Sequence, residues 1–168
     1  MAPNAISKVL EIDNCNKEIL SQAIFKAEFW KKVSPVTHIE VDFISPNVFY
    51  SKITDDVKIT GNLLKIPITM EGDLVLMDRG EEDKGKLFEF NVRNNKDVKE
   101  LDGNLRIKTI NPMRTKVGIF IHNFELSSDF LNLIGKGAWE MILRTKITDL
   151  LRNVENYCKK NKLEDLIK

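Results

Sequence analysis

From Asp129 to about Asn161 apolar residues recur at spacings of three and four, the longest regular pattern in the chain. Leu131, Ile134, Ala138, Met141, Ile142, Ile147, Leu150, Leu151, Val154 and Tyr157 share that register, as one face of an amphipathic helix requires. At about 1.5 Å per residue such a helix is roughly 45 Å long, longer than the strands before it are expected to span individually. The residues upstream follow a different rule. From Val36 the period is two, with Ile39, Val41 and Phe43 pointing one way and His38, Glu40 and Asp42 the other.

The remaining elements follow from the same two periods and the breaks between them. Ala5 to Ile12 reads as a first strand, and Asp13-Asn14-Cys15-Asn16 offers side chains able to cap a helix that carries Ile19, Leu20, Ala23, Ile24 and Ala27. The run Glu28 to Pro35 continues it as a short second helix. Pro35 ends it, because a residue before proline is pushed out of the helical region. Ser45-Pro46-Asn47 turns the chain into strands at Val48 to Thr54 and Val57 to Thr60, and Gly61-Asn62 turns it again into Leu63 to Met70. Pro67 cannot donate a ladder hydrogen bond and marks an edge or a bulge. Gly72-Asp73 then leads to Leu74 to Met77, Asp78 to Gly85 is a charged hairpin loop, and Lys86 to Arg93 alternates clearly. A polar connection from Asn94 to Gly103, a strand at Leu105 to Ile110, a turn at Asn111-Pro112 and a last strand at Lys116 to Leu126 complete the series. Strands joined by short turns imply an antiparallel sheet with one apolar face, and only the final helix is large enough to cover it.

Three segments carry a resemblance to a known family. Lys26-Ala27-Glu28-Phe29-Trp30-Lys31-Lys32-Val33-Ser34-Pro35 looks like a helix break in which an aromatic pair precedes a strand-opening proline. Gly85-Lys86-Leu87-Phe88-Glu89-Phe90 with the two strands that follow is the second, and Phe130 to Gly137, feeding the long helix, is the third. In this order they resemble the START and Bet v 1-like superfamily of polyketide cyclases and lipid-transport proteins. The resemblance implies an α+β helix-grip fold: a curved antiparallel sheet of about six to seven strands wrapped around a long C-terminal helix, with two short helices after strand 1, as a single domain over residues 1–168. It also implies a hydrophobic cavity between sheet and helix, in a family whose members bind sterols, acyl chains, isoprenoids or polyketides and of which a minority are enzymes.

The alternation nominates the residues that would line such a cavity: Ile39, Val41, Phe43, Ile66, Ile68, Phe88, Phe90, Val92, Ile107, Ile119 and Ile121 from the sheet, and Trp139, Met141 and Ile142 from the helix. His122 joins them conditionally. In the last strand Val117, Ile119 and Ile121 share one face and Gly118, Phe120, His122 and Phe124 the other, and since both are apolar either could face the cavity. If the second does, His122 is the best single group for orienting a ligand. A catalytic reading of the cyclase or hydratase kind would start from His122, Tyr50 and Glu89, with Glu89 expected to point outward. A protein-interaction groove is a third reading.

Other candidate chemistry falls away on spacing. His38 and His122 are the only histidines and have no metal-ligand spacing, and no GxSxG elbow surrounds any serine. Asp78, Glu81, Glu82 and Asp83 do not match a calcium loop, so a solvated hairpin tip is expected there. Gly135-Lys136-Gly137 lacks the remaining glycines of a phosphate loop and reads as a flexible entrance, with contact to a phosphate-bearing acyl carrier as the runner-up. No metal or cofactor is expected.

Composition adds boundaries only. A net charge of +1 over 168 residues, with lysines scattered among acids, argues against a nucleic-acid partner. No apolar run approaches the roughly 20 residues of a membrane span, and Met1-Ala2-Pro3-Asn4 lacks the character of a secretion signal, so a cytoplasmic protein is expected. Cys15 and Cys158 are the only cysteines and read as free buried thiols, with a bridge left open should the fold bring them together. The oligomeric state is left open as well.

Overall fold

The computed structural model describes residues 6–59, 64–127 and 135–168. Seven strands form one antiparallel sheet: β1 (Ile6–Asp13), β2 (His38–Ser45), β3 (Val48–Ile59), β4 (Leu64–Glu82), β5 (Gly85–Arg93), β6 (Val98–Asn111) and β7 (Arg114–Leu126). Their spatial order is β1-β7-β6-β5-β4-β3-β2, so the first strand closes against the last and every other neighbour is a hairpin partner. Helices α1 (Lys17–Ala23) and α2 (Ala27–Val33) follow β1, and α3 (Lys136–Lys160) covers the concave face before a short 3₁₀ turn at Leu163–Leu166. This is the helix-grip architecture.

Local sequence explains the joints. Asn16 caps α1, its side-chain oxygen accepting from the backbone N–H groups of Glu18 and Ile19 at 2.9 and 3.2 Å. Ser34, before Pro35, is extended at ψ 127°, which ends α2 as expected. Trp30 Nε1–H donates to the Ile24 carbonyl at 2.8 Å, locking α2 onto the end of α1. Leu20 and Ala23 of α1 and Phe29 and Val33 of α2 turn inward, so both helices plug one end of the sheet.

Several boundaries differ from the sequence reading. Gly72-Asp73 is not a turn: β4 runs for 19 residues straight through it, pairing with β3 up to Val75 and with β5 from Asp73 onward. Gly72 is needed for space rather than for a bend, since a Cβ there would sit 2.7 Å from Cβ of Asn95, which follows β5. Likewise Val48 to Ile59 is one strand rather than two. The expected hairpin loop at Asp78 to Gly85 shrinks to the two residues Asp83-Lys84, because β4 continues to Glu82 and Gly85 opens β5 at φ 115°. Part of the expected polar connection, Val98 to Gly103, belongs to β6. Pro67 lies where β4 pairs with β3 alone, β5 having ended opposite Asp73, so its missing N–H leaves no ladder bond unmade on the open side.

Lengths are corrected too. At about 1.5 Å per residue the 25 residues of α3 extend roughly 37 Å, whereas β4 at about 3.3 Å per residue has a contour of roughly 60 Å. The sheet accommodates strands longer than its covering helix by bending. Extra residues at Arg79 in β4, Lys99 in β6 and His122 in β7 shift the register and supply the bends, since an extra residue kinks a strand and raises its twist. The proposed helix start at Asp129, its residues Leu131 and Ile134, the loop from Phe130, the turn at Gly61-Asn62, and Ala5 lie wholly or partly outside the described residues. Among the described residues no helix is long and apolar enough to cross a membrane.

Candidate functional site

Between the concave sheet face and the first half of α3 lies an apolar hollow of about 370 Å³. Strict alternation builds its walls. On β3 the inward positions are Phe49, Ser51, Ile53, Asp55 and Val57, and on β4 they include Ile68, Met70, Leu74 and Leu76. On α3 the inward stripe is Trp139, Ile142, Leu143, Lys146, Ile147 and Leu150, at the spacings of three and four that one helical face demands. Trp30 closes the α2 side, stacked on Phe49 with ring centroids 6.0 Å apart and planes 20° from parallel.

Of the nominated residues, Ile39, Ile68, Phe90, Ile119, Ile121, Trp139 and Ile142 line this hollow. Others share its face but are used up by packing. Phe88 and Ile107 are fully buried in the solid part of the core, where Phe88 meets Phe25 at 6.0 Å between ring centroids. Val41 is buried there as well, and Phe43 leans on the same cluster through Phe49. Ile66 and Val92 pack against the smaller cluster formed by Val57, Ile68, Val98, Leu126 and Trp139.

Two nominations are corrected. Met141 is 71 % exposed, because the apolar stripe of α3 runs through Ile142 and Leu143 and leaves position 141 on the solvent side. His122 also faces outward. It is the residue that the β6–β7 ladder skips: Ile121 pairs with Gly103 and Asn123 with Asp102, so His122 is bulged. Its Nε2 lies 2.8 Å from Asn104 Nδ2 on the outer face. The same bulge resets the alternation, which is why Phe124, on the opposite face by simple counting, joins Ile119 and Ile121 inside. The other residues considered for catalysis are outside as well. Tyr50 donates to the Glu71 carboxylate, and Glu89 is exposed and pairs with Arg79 at 3.4 Å. The hydrogen bond to Glu71 pushes the Tyr50 hydroxyl up to about 12, aided by the carboxylates of Glu40 and Asp42.

Sequence reasoning missed the two charged groups of the hollow. Asp55 and Lys146 are the only charged residues lining it among the described residues, and they form an ion pair across the gap between β3 and α3. Asp55 Oδ1 also accepts from the backbone N–H and the hydroxyl of Thr37, at 3.3 and 3.1 Å, and Lys146 Nζ donates to the Pro35 carbonyl at 2.8 Å. Each carried a legible signal. Asp55 occupies an inward position once Val48 to Ile59 is taken as one strand, and Lys146 interrupts the apolar stripe between Ile142 and Leu150.

The two cysteines meet at the far end of α3. Cys15 and Cys158 are both buried and free, with their thiols in hydrogen-bond contact. The Cys158 S–H holds the Cys15 thiol below its ordinary value, against the effect of burial, while the same contact and burial push Cys158 up. Thr115, buried beside them, donates to the Cys15 carbonyl at 2.6 Å, so this corner is packed rather than open.

Comparison with solved structures places the fold in a known class. The chain superposes on a START superfamily protein from Mycobacterium smegmatis with a TM-score of 0.65, over 93% of this chain and 97% of that one, at 11% identity. It superposes on a protein from Thermus thermophilus with a TM-score of 0.64, over 92% and 97% at 14% identity. An aromatase/cyclase from a Streptomyces species gives a TM-score of 0.57 over 92% and 90% at 10% identity. No protein-family model and no curated protein matches the sequence. The chain therefore has the START/Bet v 1-like fold, a likeness carried by structure alone.

Proposed function

We propose that the protein binds or carries a hydrophobic small molecule, of the lipid, acyl, isoprenoid or polyketide-like kind, between its sheet and α3. The observation that carries this reading is the hollow itself. Apolar side chains from β2 to β7 and α3 converge on a space that they do not fill, whereas protein interiors are ordinarily packed to crystal density. An unfilled apolar space forfeits dispersion contacts that an apolar guest restores, and each Å² of apolar guest surface removed from water adds roughly 25 cal/mol. About 370 Å³ falls at the lower end of the range for small-molecule sites. An apolar cavity of about 150 Å³ admits benzene, so this one suits a guest of on the order of a dozen carbon atoms.

Native mass spectrometry of the purified protein, before and after delipidation, tests the reading. The expected result is a mass increment that delipidation removes and an added apolar compound restores. Absence of any increment, together with failure of every apolar compound offered to bind, would sink it. The cyclase reading has weaker support, because His122, Tyr50 and Glu89 lie on the outer face of the sheet.

A further inference from the structure

We infer that Lys146, held by Asp55, is the polar anchor of the hollow and selects an apolar guest carrying one uncharged oxygen acceptor, such as a ketone, aldehyde or ester, over a pure hydrocarbon or a carboxylate. The inference rests on the ligand-binding reading above and narrows it to a substrate class. An ammonium has three N–H donors. Two are assigned here, one to Asp55 and one to the Pro35 carbonyl, and the third has no protein acceptor among the described residues. The side chain is about one-third exposed and lines the hollow, with Ile142, Leu143 and Leu150 of its own helix around it.

The pairing fixes which guest fits. Asp55 is better shielded than Lys146, with side-chain exposure of 13% against 31%. Its carboxylate is already satisfied by Thr37 and Lys146, so it offers little to a ligand donor. It does neutralise the lysine. A guest carboxylate would meet a pair of zero net charge with a carboxylate at its centre, and would lose its hydration without gaining a full counter-charge. A carbonyl oxygen asks less: one charge-assisted hydrogen bond from the remaining N–H offsets the desolvation of a neutral acceptor. The anchor also has a fixed position. Lys146 is tied to the segment after α2 through Pro35 and to β3 through Asp55, so its free donor is oriented before any ligand arrives.

The test measures dissociation constants for 2-undecanone, undecane and undecanoate with the wild-type chain and with Lys146→Met. The anchor predicts that the substitution weakens 2-undecanone about tenfold while changing undecane less than about twofold, the loss expected for one charge-assisted bond. Lys146→Arg keeps a donor and should restore most of the ketone affinity, whereas Asp55→Asn should strengthen undecanoate. Equal weakening of ketone and hydrocarbon by Lys146→Met, or no weakening of either, would overturn the anchor and leave the ligand-binding reading standing. Failure of the wild-type chain to bind any of the three would overturn both. Should Lys146→Met unfold because Asp55 is left unpaired, the double variant Lys146→Met, Asp55→Leu removes both charges together and carries the same comparison of ketone with hydrocarbon.

Discussion

At one end of the sheet, where Ile12, Phe88 and Ile107 face Leu151 and Cys158, the concave surface is packed solid; at the other, where Ile68, Leu74 and Phe124 face Trp139 and Ile142, it stands off from the helix and leaves space. Both ends are built from the same alternation of apolar and polar residues. What differs is the filler. Helix α1 packs on β6 and on the C-terminal 3₁₀ turn, inserting Leu20, Ala23 and Ile24 into the solid end. No described element plays that part under the first half of α3. An apolar stripe therefore marks a surface that will be buried, and only the inventory of covering elements tells whether protein or ligand buries it.

Substitutions at the two ends should behave differently. Phe88→Ala, in the solid end, should cost about 3–5 kcal/mol of stability in denaturant unfolding, the range for emptying a filled aromatic site. Leu74→Ala should cost only about 1–2 kcal/mol, because one side of Leu74 already lacks partner atoms, and it should enlarge the hollow. Equal losses at the two positions would mean that the hollow is closed in solution. A filling substitution reverses the logic. Ile53→Trp should leave the melting temperature level or raise it while weakening a neutral apolar dye by about tenfold or more, equivalent to about 1.4 kcal/mol. Retained dye binding would place the dye elsewhere.

Two smaller effects belong to the outer surface. The Tyr50 hydroxyl holds its proton to about 12 in the fold, against 10.0 ordinarily. Between those values the unfolded chain has released a proton that the folded one retains, so stability is fully present below pH 10 and declines as pH rises toward 12. Tyr50→Phe should flatten that decline, and an unchanged slope would show that the contact with Glu71 does not persist in solution. Met141→Lys should change stability by less than about 0.5 kcal/mol, as for other exposed sites. A larger loss would place Met141 against something.

Most of the architecture was legible because it rests on period. The alternating strands, the helix break before Pro35 and, from Ala138 onward and Met141 apart, the amphipathic stripe of the long helix are present in the structure. Several differences share a physical origin: glycines and charged residues that read as turns lie inside strands. Gly72 serves instead as a gap through which the segment after β5 passes, and Asp55 and Asp56 are an inward and an outward position of one strand rather than a break between two. Reading them as a break concealed the inward carboxylate. Lys146 is hidden for a related reason: a stripe defined by apolar residues alone passes over a charged residue on the same face. His122 shows a limit of another kind, since one bulged residue switches every later side chain to the opposite face and strict alternation carries no sign of it.

Soaking crystals with a brominated medium-chain hydrocarbon and recording anomalous scattering shows whether the space between sheet and α3 receives an apolar guest. A bromine peak is expected inside the hollow, between Leu74, Phe124 and Trp139, with the backbone of the sheet unmoved. Absence of bromine there, with α3 settled onto β3 and β4 so that no space remains, would overturn the ligand-binding reading.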